Sequence, residues 1–279
     1  MAIDLHVHSS ASDGTDPPDV LVAKAADLGL TALGLTDHDT LSGIPEARRA
    51  AAGFPIELVP GVELSVDHAG VKIHMLAYFL DPTSGPLQDR LAELRMGRAI
   101  RNKRIVERLN ELGYPITLED VLRHAAGEAV GRPHIADALV EAGLLEVRSE
   151  AFVDLLGDGG LAYVERERLA AIDAIILTTK SGGVTSIAHP LTINADAATL
   201  RSIFEDLRNA GLAGIEAHYS EHSPAVRTQL AAVAADLGLV ATGGSDYHGA
   251  GKPGLRIGSG HGDLMVPDSA LEELRRRRP

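Results

Sequence analysis

Short runs rich in Val, Ile and Leu alternate along this chain with longer stretches of helical periodicity, and that alternation most constrains the fold. The strand candidates are Ile3–Val7, Ala32–Thr36, Glu57–Pro60, Val71–Leu80, Val184–Ala188, Gly214–His218 and Val240–Gly243. Helix candidates such as Pro17–Leu28 and Ala225–Leu237 lie between them, the first expected to start near Asp16 as N-cap with Pro17 at its first position. Strands separated by helices read as a parallel α/β fold. Between about Leu87 and Leu161 only helical patterns remain, bounded by the breakers "DPTSGP" and "GDGG". The expected organisation is a barrel formed by 1–86 and 162–279, interrupted by a helical insertion, 87–161, that contributes to substrate binding. Arg275–Arg278 reads as a frayed helix end in solvent.

Chemistry enters at the strand ends. His6 and His8 lie two apart in the first strand candidate and so project to one side, with Asp13 a short loop later. "TDHD" ends the second candidate with Asp37, His38 and Asp39, and "GVELS" after the third supplies Glu63. "KIHML" holds His74, "IAHP" ends on His189, and "GGSDYH" brings Asp246 and His248. Singly, each has an ordinary explanation: His74 as a hydrogen-bonded core residue, "TDHDT" as an Asx-turn, "AHP" as a strand stopping at proline. Jointly they occupy successive strand ends, which in a parallel barrel converge on one face.

The chain has no cysteine, so any metal must be held by oxygen and nitrogen. Imidazole with carboxylate suits Zn²⁺, Mn²⁺ or Fe²⁺ rather than Mg²⁺ or Ca²⁺ alone. His6, His8, Asp13, His38, Glu63, His74, His189, Asp246 and His248 are nine candidate ligands, too many for one ion. Two or three ions sharing bridging carboxylates fit that number. The formal net charge of −13 argues against broad nucleic-acid binding through a basic surface. It is compatible with an anionic substrate, because bound cations invert the field in a cleft. No leader-like or bilayer-length apolar segment is present, so the expected location is the cytoplasm, with no membrane and no evident protein partner.

"DLHVHS", "TDHD", "GVELS", "IAHP" and "GSDYH", in this order from His6 to His248, resemble the motifs of the PHP (polymerase and histidinol phosphatase) family of metal-dependent phosphoesterases. The resemblance implies an α/β fold, a distorted (β/α)₇ barrel of amidohydrolase-like type, with a two- or three-metal centre; the seven strand candidates agree with it. By motif, His6, His8, Glu63 and Asp246 would hold the first ion, and Asp13, His38 and His248 the second. Glu63 as a bridge, with His74 and His189, would hold the third. Where this chain has Asp13 the family often has histidine, which shifts the expected preference toward harder ions: Mn²⁺ first, with Zn²⁺ or Fe²⁺ as alternatives.

Such a centre suits phosphate ester hydrolysis, since two cations lower the pKa of a shared water and neutralise the phosphoryl oxygens. The catalytic set expected from the motifs is His6, His8, Asp13, His38, Glu63, His189, Asp246 and His248. The leaving alkoxide could take its proton from His222, Tyr219 or a metal-bound water. In the insertion, "LRMGRAIRNKRIVERL" places Arg95, Arg98, Arg101, Arg104 and Arg108 three or four apart, read as one stripe of a helix. Such a stripe is ordinarily a solvated face; in so acidic a chain it is also a phosphate clamp candidate. In "GRPHIADALV", Arg132 and His134 sit at a helix N-terminus, where an anion is favoured.

The order of these elements resembles a PHP branch that removes the 3′-phosphate of nucleoside 3′,5′-bisphosphates and degrades short 5′-phosphorylated RNA. The expected substrate is therefore a nucleotide or short RNA, with Arg98, Arg101, Arg104, Arg132, His134 and His222 as binding candidates. The alternatives are histidinol-phosphate phosphatase and, from another class, a metal-dependent amidohydrolase, neither of which needs an arginine clamp. "GAGKPG" has neither the spacing nor the Ser/Thr after lysine of a phosphate loop.

Overall fold

The computed structural model describes residues 2–279. The barrel strands are β1 (Ala2–Val7), β2 (Leu30–Leu35), β3 (Glu57–His68), β4 (Val71–Tyr78), a short β5 (Leu169–Ala170), β6 (Val184–Ile187), β7 (Gly214–Tyr219) and β8 (Val240–Gly244). The helices are α1 (Pro18–Asp27), α2 (Ile44–Ala51), α3 (Pro86–Glu111), α4 (Leu118–Arg123), α5 (Arg132–Glu141), α6 (Glu150–Asp154), α7 (Ala171–Lys180), α8 (Ala197–Asn209), α9 (Pro224–Asp236) and α10 (Ser269–Arg276). Seven strands form one path, β1-β2-β3-β4-β6-β7-β8, and β5 pairs with β3 off that path. The path nearly closes, because Asp246 N–H donates to the His6 carbonyl (2.8 Å) and His8 N–H to the Tyr247 carbonyl (2.9 Å). Lower down, the buried Asp4 carboxylate accepts N–H bonds from Ser245 (2.9 Å) and Gly258 (2.7 Å), tying β1 to the last strand and the segment after it.

The barrel is the expected distorted (β/α)₇ type, with one departure from a purely parallel sheet. β4 runs antiparallel to both β3 and β6. Only Ala69 and Gly70 separate β3 from β4, both at positive φ (53° and 84°), the conformation of a two-residue hairpin turn. A parallel return needs a crossover of about a dozen residues, which is not available there. β3 also runs on through Glu63 to His68, so Glu63 projects from within a strand and not from a loop beyond it.

Helices α1, α2, α7 and α8 bury their apolar faces against the sheet in one cluster that includes Leu21, Ala47, Ile175 and Phe204. A second cluster joins Ile3, Ala32, Val59 and Val240 to Leu271 and Leu274 of α10. Arg275 in α10 pairs with Glu57, and Arg277 and Arg278 donate to the Gly238 and Gly182 carbonyls. The basic tail is thus docked, not frayed, because carbonyls and a carboxylate meet it there. At α1, Pro17 is the N-cap and Pro18 the first helical residue. The Asp16 carboxylate is drawn away to Lys24 (2.7 Å) and the Tyr247 hydroxyl (2.8 Å).

The 87–161 region is helical throughout its ordered elements and has an apolar core of its own. Ile105 and Leu109 of α3 pack there with Val121, Ile135, Leu139 and Ala151. The first half of the 26-residue α3 instead buries Leu87, Leu91 and Leu94 in the barrel-side cluster. One helix therefore belongs to both cores and ties them together. Among the described residues no helix is long and apolar enough to cross a membrane.

Candidate metal centre

His6 in β1 and His8 just beyond its end are both fully buried. His6 fits because Gly244 of β8 lies against it; a Cβ there would stand 2.4 Å from His6 Cβ. His6 Nε2 and His8 Nε2 are 3.1 Å apart, and Glu63 Oε2 lies 3.4 and 3.1 Å from them. Asp246 Oδ1 lies 3.5 Å from His6 Nε2 and 3.4 Å from His8 Nε2. An ion bonded at 2.0–2.1 Å to four tetrahedral corners sets its ligands about 3.4 Å apart. The separation of the two histidines, and of each histidine from the two carboxylates, is close to that edge.

Around them stand two further groups. Asp13 Oδ1 is 3.4 Å from His248 Nε2, and Asp13 Oδ2 is 3.8 Å from His38 Nε2. Glu63 Oε1 meets His189 Nε2 at 2.9 Å and His74 Nδ1 at 3.0 Å, while its Oε2 meets His38 Nδ1 at 3.1 Å. The nine side chains singled out in the sequence fall into overlapping groups of ion-holding geometry. His8 Nδ1 and His38 Nδ1 are buried yet make no hydrogen bond among the described residues. Lone pairs buried beside carboxylates and left without a proton partner are suited to a cation, so the donor set fits divalent ions.

The electrostatics point the same way. Burial opposes ionisation of Glu63, but His38, His74, His6 and a hydrogen bond from His189 outweigh it and hold the carboxyl far below its ordinary range. Burial is likewise outweighed at Asp13 by His38 and His248, and at Asp246 by Lys252, His6 and His248. Burial pushes His8 toward neutrality, yet its bonds to Asp246 and Glu63 raise it to about 9. At His38 burial wins and lowers it to about 3. A pocket of buried carboxylates demands positive charge, supplied here by protonated histidines and equally by metal ions, which displace those protons.

Three residues at the site adopt positive φ without being glycine: Asp39 (51°), His189 (25°) and Asp246 (54°). Such strain persists only where the surroundings hold it, and it concentrates at functional sites. Of the acids in "TDHD", neither joins the cluster. Asp37 accepts from Ser9 N–H, Ser9 Oγ and Ser12 Oγ (2.8, 2.6 and 2.6 Å), shaping the loop to Asp13. Asp39 Oδ2 accepts from Arg98 Nη2 (2.6 Å) and Arg166 Nη1 (3.2 Å).

One functional carboxylate escaped the motif reading. Glu216 of β7, fully buried, accepts from His6 Nδ1 (2.9 Å) through Oε1 and from His189 N–H (2.6 Å) through Oε2. It fixes the His6 ring so that Nε2 faces the cluster, the usual carboxylate–histidine–metal arrangement. A charged residue inside the otherwise apolar "GIEAHY" is the signal that could have found it.

The cluster lines an open cleft of about 1080 Å³ that also receives Lys72, Arg132, Arg148, Arg168, Tyr219 and Lys252. Of the substrate-binding candidates named from sequence, Arg132 is the one on this lining. Its guanidinium donates to the Leu156 carbonyl (2.8 Å) and Asp158 (3.2 Å) and lies 5.6 Å from the Tyr163 ring centroid. Arg98 and Arg101 are buried, Arg98 on Asp39 and Arg101 on the Asn102 side chain (2.8 Å), whereas Arg104 is exposed. Three-residue steps in a helix lose about 60° each, so Arg95 to Arg104 spans about half a turn of helix surface and not one stripe. His134 caps α5, its Nδ1 accepting from Gly131 N–H (2.9 Å), and burial lowers its pKa. His222 bonds the Ala217 carbonyl (3.3 Å), and Tyr219 donates to Asp246 Oδ2 (2.9 Å). Arg148, Arg168, Lys72 and Lys252 were not singled out; only Lys252 carries a signal, its closeness to "SDYH".

Comparison with known proteins gives a consistent picture. The PHP domain pattern matches residues 4–115. The chain is 35% identical over 247 residues to the 5′-3′ exoribonuclease Rnm of Escherichia coli K12, covering 88% of this chain and 84% of that protein. It is 32% identical over 257 residues to the 3′,5′-nucleoside bisphosphate phosphatase of Chromobacterium violaceum, covering 92% and 90%. Among solved structures, one described as a metal-dependent phosphoesterase of Bifidobacterium adolescentis superposes with a TM-score of 0.89 at 34% identity, covering 99% of this chain and 96% of that one.

Proposed function

The chain belongs to the PHP family of metal-dependent phosphoesterases, and on that premise we propose that it removes the 3′-phosphate of nucleoside 3′,5′-bisphosphates and acts on short 5′-phosphorylated oligoribonucleotides. The carrying observation is that ion-holding side chains and the cations Arg132, Arg148, Arg168 and Lys72 line one cleft. A substrate with two phosphates has a use for both. The exoribonuclease and bisphosphate phosphatase relatives support the reading. The helical insertion, 87–161, acts as the substrate-binding part by supplying Arg132 and Arg148 beside the barrel's ligands.

In this reading His6, His8, Glu63 and Asp246 hold one ion, Asp13, His38 and His248 a second, and Glu63 with His74 and His189 a third. Bound divalent ions, Mn²⁺ being our choice given Asp13, supply Lewis acidity toward the phosphoryl oxygens and acidify water. Glu216 holds His6 in its working tautomer, and the Thr192 hydroxyl holds His189 through Nδ1 (3.0 Å). Tyr219 lines the cleft with its hydroxyl on Asp246, and burial together with that carboxylate keeps its proton on well above neutral pH. Of the two side-chain donors expected for the leaving alkoxide it is the better placed, since His222 is not on the cleft lining. Arg132 and Arg168 engage the phosphate that is not hydrolysed.

The test is a panel with added Mn²⁺: adenosine 3′,5′-bisphosphate, histidinol phosphate, a 5′-phosphorylated dinucleotide and an N-acyl amino acid. We expect the bisphosphate to be the best substrate, with its 5′-phosphate retained in the product. Arg132→Ala raises KM for it about tenfold while leaving p-nitrophenyl phosphate unaffected. Preferred turnover of histidinol phosphate, or an equal effect of Arg132→Ala on both esters, overturns the assignment.

A further inference from the structure

Asp246 divides its two oxygens. Oδ1 faces the ligand cluster, 3.4 Å from His8 Nε2 and 3.4 Å from His248 Nδ1. Oδ2 turns the other way and receives the Tyr219 hydroxyl together with the Lys252 ammonium. Lys252 also lines the cleft beside Asp13, His38 and Glu63. It therefore stands between an ion-holding carboxylate and the space a phosphate ester must enter.

Its backbone is held on several sides. Ala250 N–H donates to Thr15 Oγ1 (2.9 Å) and Gly251 N–H to the His248 carbonyl (3.2 Å). Gly251 passes so close to Arg148 of the insertion that a Cβ would lie 2.7 Å from Nη1. Pro253 keeps Lys252 out of helical backbone, and its φ of −128° and ψ of 80° lie outside that region. The backbone being held, it is the four-carbon stem that can carry the compact ammonium from one partner to another.

We propose that Lys252 is a counter-ion that exchanges partners, neutralising Asp246 in the metal-free protein and taking a non-bridging oxygen of the scissile phosphate once ions are bound. The reason is charge balance. Without ions, the buried acids of the cluster call for a nearby cation, and Lys252 is the ammonium within reach of Asp246. Divalent ions on Asp13, Glu63 and Asp246 invert that field, so the ammonium is repelled from the cluster and drawn to an incoming dianion. Lys252 is in this sense a positioning residue for the phosphoryl group. The inference rests on the ion-holding reading of the cluster.

The experiment measures Mn²⁺ affinity of the metal-free protein, and inorganic phosphate affinity of the Mn²⁺-loaded protein, by calorimetry for wild type, Lys252→Met and Lys252→Arg. Lys252→Met should bind Mn²⁺ about tenfold more tightly and phosphate about tenfold more weakly, with Lys252→Arg restoring phosphate binding. Unchanged affinities for both, or weaker Mn²⁺ binding in Lys252→Met, overturn the proposal. Absence of Mn²⁺ binding by wild type would instead overturn the metal-centre reading beneath it.

Discussion

Two dense polar groups lie in this molecule, one drawn from the barrel strands and the loops after them and one along α3, and they are built by different rules. The barrel group draws nine side chains from six segments spread from His6 to His248, and all of them come within ion-holding distance of a neighbour. The α3 group draws five arginines from one helix, yet they part company: Arg98 and Arg101 are buried, Arg104 and Arg108 exposed. Convergence in a barrel comes from topology, which aims separate segments at one point. Spacing along a helix works only while its period is kept, and repeated three-residue steps lose it. Buried Arg98 became an anchor, tying α3 to Asp39, where Arg166 from outside the helix joins it, while Arg101 turns to the Asn102 side chain.

If that contrast is right, damage to the two groups should differ in kind. The largest effect belongs to Glu63→Gln, because Glu63 touches His6, His8, His38, His74 and His189. We expect Mn²⁺-dependent turnover of p-nitrophenyl phosphate to fall by about 10³-fold or more and bound metal, read by elemental analysis, to fall with it. Normal metal content with normal turnover would break the contrast at its stronger side.

Glu216→Gln should come next. It leaves every proposed ligand in place but offers one acceptor oxygen where Glu216 offers two, so His6 Nδ1–H and His189 N–H cannot both be met and His6 loses its carboxylate partner, lowering Mn²⁺ affinity by roughly 10–100-fold. Excess Mn²⁺ should restore most of the turnover, an outcome not expected of a ligand substitution. A titration of activity against Mn²⁺ separates the two.

The smallest catalytic effect is expected on α3, where stability is the measured quantity. Arg98→Met leaves the buried Asp39 carboxylate with the Arg166 guanidinium and the Ser65 N–H and should cost about 2–3 kcal/mol in urea unfolding. Turnover of the folded fraction should stay near wild type. Arg104→Ala should change neither unfolding nor KM for adenosine 3′,5′-bisphosphate. A rise in that KM would return Arg104 to the substrate and blur the distinction between the two groups.

How legible this was depended on scale. The alternation of strand and helix, the seven barrel strands and the helical insertion are local patterns, carried by side chains a few residues apart. That the nine donor residues come together was legible only jointly, since each His or acid has an ordinary use on its own and only their recurrence along the strand candidates points to one place. Glu216 was hidden because a lone acid within a strand is silent until its partners, His6 and His189, arrive from distant segments. The antiparallel course of β4 was written in the two residues before Val71 but passed over, because the surrounding alternation suggested parallel pairing. Arg148 and Lys252 enter the cleft only through the way the insertion sits on the loop after β8, where Gly251 gives way to Arg148.

By itself, then, the sequence determined which elements form, the absence of thiolate chemistry and the supply of imidazole and carboxylate donors, because these follow from residue type and short-range periodicity. Only the tertiary structure decided which donors share a point in space, which arginines spend their charge on Asp39, and which cations line the cleft, where Arg148 pairs with Asp137, Arg168 with Glu165, and Lys72 and Arg132 with Asp158. Those outcomes depend on packing between segments as far apart as His6 and Asp246, where distance along the chain says nothing about distance in space.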